Sequence, residues 1–274
     1  NVVFSFRRIE DNRGAVQGKN IIQVGNMVYY LSEDGFYVTD GSSSKPIGAN
    51  KVDRFFYNDL KFAKRERVRA SYDHLNKLVM WSYPSATGTN SDTQNDKILI
   101  YHIASARWSI VELDHEVIVD VLTAGFTLEE LDDFPSSGTN DIDAITISLD
   151  DAFFAGGQRS LGVVNTDHKL GSFSGDSLAA EIGTAETELA PQRRSLVTHV
   201  RPIVDTDDAT GSLSFRNRVA DTVSTTANTA MHTTGTIPFH KSARYFKFNL
   251  QIPAATTWSD AQGIDIEAIK EGYR

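Results

Sequence analysis

Few residues in this sequence combine a reactive side chain with the spacing of a reaction centre. Asp34, Asp40 and Asp150 are the carboxylates a propeller glycosidase would draw on, because that chemistry needs one carboxyl group as acid and a second as base or nucleophile. All three stand in turn-forming sequence: Ser32-Glu33-Asp34-Gly35, Asp40-Gly41 and Leu149-Asp150-Asp151. Their separation in space, which sequence spacing does not give, decides whether they can act as a pair. The seven histidines are His74, His102, His115, His168, His199, His232 and His240, and none are spaced H-x-H or H-E-x-x-H. His74 and His168 sit in turns and read as surface or edge residues. Asp205-Thr-Asp207-Asp208-Ala-Thr-Gly211 begins like a calcium loop, but its twelfth position is Arg216 where a bidentate Glu is required. Gly171-Ser-Phe-Ser-Gly175 has Phe173 at the place of the nucleophile in a G-x-S-x-G elbow. The chain has no Walker loop, no dinucleotide fingerprint and no cysteine. The expectation is a protein that is not an enzyme and that uses no metal or cofactor.

One run of cations stands out. Lys61, Lys64, Arg65, Arg67 and Arg69 are interrupted only by Glu66 among charged residues. If the run is a strand, alternate members share a face. That face is then either solvated and salt-bridged, or a contact to a neighbouring subunit or to a nucleic-acid backbone. Arg193, Arg194 and Arg201 raise the same question more weakly.

The whole chain is acidic, with a formal charge of -9 over 274 residues. This excludes general attraction to nucleic acid and leaves plain solubility or an acidic wall that repels phosphate. The length accommodates one large or two smaller domains, with a core that needs no disulfides. No apolar run approaches the roughly 18 residues of a membrane span, and no membrane insertion is expected. The chain opens on Asn1-Val-Val-Phe-Ser-Phe6, which reads as a strand already under way and predicts a missing N-terminal portion.

The elements that must position these residues are short strands separated by turns. Val28-Tyr29-Tyr30-Leu31 and Phe36-Tyr37-Val38 flank Asp34-Gly35, a hairpin signal in which both turn residues would take positive φ. Strands follow at 68–72, 77–83, 97–102 and 107–113, with a polar loop over 84–96. A third round has strands at 142–148, 152–155 and 161–164. Strand ends at Asp40, His102 and Asn165 recur roughly every 62 residues, a period that suggests propeller blades, with a pair of sandwiched sheets as the alternative. Asn50 reads as the cap of a short helix carrying Phe55, Phe56 and Leu60, and Thr127-Leu-Glu-Glu130 as the capping box of another. Beyond about residue 175 the composition shifts to longer alternating strands, 195–204, 211–219 and 245–252, with a Thr-rich loop over 222–235. Tyr29, Tyr30, Phe36, Tyr37, Trp81, Tyr83 and Trp108 read mainly as core, with some left to meet a sugar or a partner. The expected fold is all-β: propeller-like blades over 1–178, then a C-terminal antiparallel sheet or sandwich over 179–274.

The run from Tyr30 to Gly41, then Pro46-Ile-Gly48 and residues 52–60, resembles a segment of tail and head–tail connector proteins of phages and prophages. Val79-Met-Trp-Ser-Tyr-Pro84, Asp96-Lys-Ile-Leu-Ile-Tyr101 with Arg107-Trp108, Phe126-Thr-Leu-Glu-Glu-Leu-Asp132, residues 142–157 and the ending from Gln262 to Arg274 extend the resemblance. It is to the packaged-DNA stabilisation or tail-nozzle component of short-tailed phages. The resemblance implies a propeller beside a platform-like β domain, and a hexameric ring below the portal and adaptor that retains packaged DNA and forms the ejection channel. It further implies contact with tail-fibre or tailspike proteins, DNA passing the lumen without sequence-specific binding, and a place in the virion tail after assembly in the host bacterial cytoplasm. No individual functional residue carries over. A carbohydrate-binding, receptor-binding or fibre-attachment module is the competing reading, and a propeller glycosidase a further one.

Overall fold

A computed structural model of the chain describes residues 8–11, 13–89, 91–122, 159–173 and 177–272. The class is all-β. The chain divides into two compact units, Asn1–Phe173 and Ser174–Arg274, against an expected division after residue 178.

In the first unit, β1 (Ile21–Val24), β2 (Met27–Leu31), β3 (Phe36–Thr39) and β4 (Ser44–Pro46) form a four-stranded antiparallel meander. A second meander holds β5 (Arg69–Asp73), β6 (Leu78–Tyr83), β7 (Asn95–His102) and β8 (Arg107–His115). A third sheet has the order β11-β10-β9, from β9 (Val117–Leu122), β10 (Arg159–Val164) and β11 (Leu170–Ser172). The helix α1 (Asp53–Asp59) and a 3-10 segment, Phe62–Arg67, link the first two sheets.

The second sheet is covered on both faces, which is why its central strand β6 is apolar at every position but Ser82. Val79, Trp81 and Tyr83, with Leu99 and Tyr101, share a core with Tyr29, Leu31, Phe36 and Val38 of the first sheet. Met80 and Ile98 point the other way and pack with Ile118 of β9 and Leu161 of β10. Period-2 alternation sends successive side chains to opposite faces, so a doubly covered strand carries apolar residues on both, and a polar one such as Ser82 must be hydrogen-bonded. The Phe36 ring is central: its centroid lies 4.7 Å from Trp81, 4.9 Å from Phe56 and 5.1 Å from Trp108. Full burial of one such side chain contributes roughly 1.5–3 kcal/mol.

Two local expectations need correction. The Asp34-Gly35 hairpin is not a two-residue turn. Leu31 pairs with Phe36, so Ser32 to Gly35 all lie in the loop, closed by Ser32 N–H to Gly35 O at 2.8 Å. Of the two residues only Gly35 has positive φ. Asn50 does not cap α1 either: Val52 occupies the cap without a side-chain bond. Asp53 reaches back and accepts from the Phe36 N–H at 3.2 Å. A Cβ at Gly35 or Gly48 would lie 2.4 or 1.9 Å from its carboxylate oxygens, so both positions need the space that glycine leaves. The expected opening strand, the capping box at Thr127 and the strands at 142–148 and 152–155 lie outside the described residues.

The second unit has β12 (Ala180–Gly183), β13 (Thr187–Glu188), β14 (Ser195–Val204), β15 (Thr210–Arg216), β16 (Ser224–Thr225), β17 (Thr229–Ala230), β18 (Ile237–Ala243), β19 (Tyr245–Ile252) and β20 (Ala261–Lys270). One sheet runs β12-β19-β15-β16, with β13 on β19 and β17 on β15; the other runs β18-β14-β20. Val197, Val200, Ile237 and Phe239 from the second sheet share one core with Leu213, Phe246, Phe248 and Leu250 from the first. The Thr-rich stretch expected to be loop over 222–235 contains β16 and β17, which return to pair with β15. Threonine favours strand geometry, and the free edge of β15 supplied the missing backbone partners. Among the described residues no helix is long and apolar enough to cross a membrane.

Candidate functional site

The basic run is not a strand. Residues 62–67 form a 3-10 segment, and only Arg69 lies on β5. The expected alternation of its charges on one strand face therefore fails. The cations divide by their partners. Lys61 Nζ pairs with Asp92 at 2.9 Å and donates to Ser91 Oγ at 3.2 Å. The Arg67 guanidinium donates to the Thr93 carbonyl, and the Arg67 carbonyl accepts from Asn95 Nδ2 at 3.1 Å. These two residues fasten the polar loop before β7. Arg65 is exposed, with its guanidinium stacked 4.6 Å from the centroid of Phe62.

Beside this segment lies a recess of about 300 Å³. Leu31, Tyr57, Leu60, Val68 and Asn20 form its wall, and the exposed Glu33, Phe62 and Arg65 its rim. The fold puts it at the ends of β1 and β5: Asn20 immediately precedes β1 and Val68 immediately precedes β5. Tyr57 is fixed by donating its hydroxyl to Ser32 O at 2.5 Å, and burial raises its pKa well above the ordinary phenol value. Asn20 is 1% exposed, and its Oδ1 has no hydrogen-bond partner among the described residues. Its main chain is fully committed, since the N–H donates to Gln17 O and the C=O accepts from Trp81 Nε1 at 3.3 Å. Phe62, 63% exposed, was the residue between Lys61 and Lys64 that the charge pattern hid.

The carboxylates separate. Asp34 accepts from the Tyr37 hydroxyl at 2.7 Å. Slight burial pushes Asp34 up, but the bonds from Tyr37 and Ser32 outweigh it and hold the carboxyl below its ordinary value. In return, burial and Asp34 push the Tyr37 phenol up to about 12. Asp40 closes its own turn, accepting from Ser42 Oγ and N–H and from Ser43 N–H, and these bonds lower it to about 2. Strand β3 lies between the two residues, and each carboxylate is engaged by its own turn rather than by the other. Both groups are held ionised, which suits an anion in a turn and not an acid. Asp150 lies outside the described residues.

A group with more chemical promise in its atoms was not legible in the sequence. Ser82 Oγ lies 2.6 Å from His115 Nε2, and His115 Nδ1 lies 2.7 Å from the Leu113 carbonyl. A carbonyl only accepts, so Nδ1 carries the proton and Nε2 accepts from the serine hydroxyl. Asn95 Nδ2 donates to the same Ser82 Oγ at 2.6 Å. This is the connectivity of a nucleophile and its base, but Ser82 is 1% and His115 0% exposed, and a substrate atom has no path to the hydroxyl. Desolvation depresses the imidazole, which stays neutral. The trio is a polar tie between β6, β7 and β8. Beside it, buried Asp96 accepts from Ser85 N–H at 2.6 Å and Ser85 Oγ at 2.5 Å. Lys97 and Tyr83 both donate to Asp59 at the end of α1, at 3.0 and 2.8 Å. Desolvation works against the Lys97 ammonium, but Asp59 and Glu112 together outweigh it and raise the group.

In the second unit Arg216, the residue that spoils the calcium loop, pairs side by side with Glu186, with Nε 2.6 Å from Oε1. Asp205 accepts from Ser259 Oγ at 2.5 Å and from the Ser259 and Asp260 N–H groups, and these bonds lower its carboxyl. His74 and His168 are in turns as expected, the latter paired with Glu116 at 2.8 Å, whereas His115 is fully interior. Among the described residues no three His, Asp or Glu side chains stand where they could hold a metal ion. Neither a family model nor a curated protein matches this chain.

Proposed function

We propose that this chain is a structural subunit of the tail nozzle or head–tail connector of a short-tailed phage. In this reading it assembles as a hexameric ring below the portal and adaptor, holds packaged DNA and passes it outward, and offers its rim to tail-fibre or tailspike proteins. It belongs to the virion tail and is assembled in the host bacterial cytoplasm.

The observation that supports the reading is the stacking of antiparallel meanders in the first unit. The first strands of the three sheets are neighbours in order, β1 beside β5 and β5 beside β9, and the sheets pack face to face. A propeller sets its blades in this way, with first strands innermost and later strands outward. Among the described residues Asp34, Asp40, Asp59, Asp96 and Ser82 serve turns and ties. Rigid bodies with directional surfaces suit heterologous ring contacts. The acidic balance of -9 suits a lumen that DNA must cross without adhering.

Electron microscopy and light scattering of the purified protein test the reading. Closed rings, salt-sensitive and of six copies by mass, are the expected result. A strict monomer at high concentration, with the protein absent from purified virions, overturns it.

A further inference from the structure

We propose that the free edge of β20 docks an extended segment of another protein, one in which apolar and cationic residues alternate. The inference goes beyond the ring reading and does not rest on it.

Among the described residues the second unit has four sheet edges, and three are guarded. β12 and β13 divide one edge into pieces of four and two residues, and β16 and β17 divide the next into two pieces of two. β18 carries Pro238, which has no N–H, and its pairing with β14 shifts register between Pro238 and Lys241, where His240 takes a φ of 49°. Short strands, proline and bulges are how natural sheets keep other chains from pairing with them. β20 has none of these. It is ten residues long, contains no proline, and pairs with β14 alone among the described strands. The extra residue at the register shift near its middle, Thr198, belongs to β14, so β20 runs unbroken from Gly263 to Lys270.

The main chain of this edge selects the class of ligand. Glu267 O accepts from Thr198 Oγ1 at 3.1 Å, and the Glu271 N–H donates to Arg194 O at 2.8 Å, so the odd-numbered residues turn to β14. Pro202, opposite Ile264, has no N–H to give to an even-numbered one. Successive residues of an antiparallel ladder direct their N–H and C=O groups to opposite sides. Ile264, Ile266, Ala268 and Lys270 therefore present their donors and acceptors to the free side. A straight row of N–H and C=O groups repeating every second residue is the complement of another extended main chain, and a small apolar molecule cannot supply it.

The side chains select the sequence. Ile264, Ile266 and Ala268 pack against the core of the unit. Residues directly opposite share a face, so an incoming strand would place apolar side chains there. Asp265 and Glu267 are exposed on the other face. On the β14 side they already meet positive charge: His199 stands opposite Glu267, with Nε2 2.8 Å from the carboxylate, and Arg201 stands opposite Asp265. A cationic strand on the free side would repeat that pattern. The same carboxylates turn away a second copy of β20. Antiparallel self-pairing centred on Ile266 sets Asp265 against Glu267, centred on Glu267 it sets that residue against itself, and centred on Ala268 it sets Asp265 against Glu271. Like charges directly opposite are destabilising. An edge that repels its own copies and pairs with cations discriminates between partners by charge.

Fluorescence anisotropy of the purified full chain with labelled acetyl-Thr-Val-Lys-Val-Lys-Val-Thr-amide tests this, with hydrogen exchange resolved by residue. Saturable binding is expected, with exchange slowed at the amides of Ile264, Ile266 and Ala268 and unchanged at Asp265 and Glu267. Replacing both peptide lysines by Glu should weaken binding about tenfold. The double variant Asp265→Lys, Glu267→Lys should reverse the preference. Both positions are exposed, so circular dichroism should not change. Methylating the three Val amide nitrogens should abolish binding, because these face β20, whereas methylating the two Lys amide nitrogens should not. No saturable binding by the folded protein overturns the proposal. Equal binding of the two methylated peptides overturns it too, since charge alone would then hold the peptide. If the same amides become protected with rising protein concentration and no peptide, the edge takes its own copies and the assignment to another protein is wrong.

Discussion

The hydroxyl of Ser82 donates to Nε2 of His115 across 2.6 Å of closed interior, and the far ring nitrogen is tied to the Leu113 carbonyl. The pair fixes the edge of the second sheet to its centre. The ring stays neutral because burial lowers its affinity for a proton below the ordinary 6.5. The unfolded chain takes up that proton as pH falls through 6.5, while the folded chain resists it until lower pH. The stability contributed by the neutral ring is therefore complete above 6.5 and is lost as pH falls below it, by at most about 1.4 kcal/mol per pH unit. Urea midpoints measured on either side of 6.5 should show the fall. His115→Gln should flatten the pH dependence, and an unchanged slope would refute the assignment.

Ser82→Ala tests the same tie without a titration. It leaves Nε2 of His115 buried with no donor and removes one acceptor from Asn95. A buried polar group left unpaired costs about 1–3 kcal/mol. The loss should appear in urea unfolding at neutral pH, and a loss much smaller than that would mean that water reaches the ring.

The turn before β3 depends on a carboxylate from a distant helix. Asp53 occupies the space where a side chain at Gly35 or Gly48 would stand. Gly48→Ala should cost about 1–3 kcal/mol, the usual range for overpacking. Asp53→Ala should relieve that cost, so the double variant should be more stable than the sum of the single losses predicts. Additive losses in thermal unfolding would show that the crowding is not with Asp53.

These examples divide what the sequence made legible from what it did not. Aromatic runs beside turns marked β2, β3, β6 and β7 directly, because period-2 burial and turn chemistry act over a few residues. The same local rules misplaced the cap at Asn50 and the turn at Gly35. At Gly35 the carboxylate of Asp53, 18 residues on, takes part in the geometry, and at the cap Val52 stands where Asn50 was expected. The run 61–69 carried the charge of its segment plainly but not its shape, since a 3-10 segment and a strand accept the same lysines and arginines. The recess was hidden for a different reason. Asn20, Leu31 and Val68 are 11 and 37 residues apart in sequence, and only the adjacency of β1 and β5 brings them to one wall.

In the second unit Gly211 packs under the ring of Phe248. A Cβ there would lie 2.8 Å from two ring carbons and 2.9 Å from Ile237 Cδ1. Gly211→Ala should destabilise this unit by about 1–3 kcal/mol. Because the chain has two compact units, a single global midpoint is a poor measure. Hydrogen exchange of β15 and β19 is the better one, and it should rise there while β6 and β7 stay protected. Adding Phe248→Leu, which draws the ring atoms away, should restore part of the protection.

The last prediction concerns whether the first two sheets are one cooperative body. Phe36 belongs to the first sheet, and its ring contacts Trp81 and Trp108 of the second. It is 0% exposed. Phe36→Ala removes a ring from the centre of a shared core, and such truncations cost about 3–5 kcal/mol. If the sheets stack as one body, protection against exchange should fall together in β2 and β6, although only β3 is altered. The emission of Trp81 and Trp108 should shift to the red in the same denaturant range. If exchange rises in the first sheet alone and the emission does not change, the two meanders are independent, and the stacking that supports the ring reading has no mechanical content.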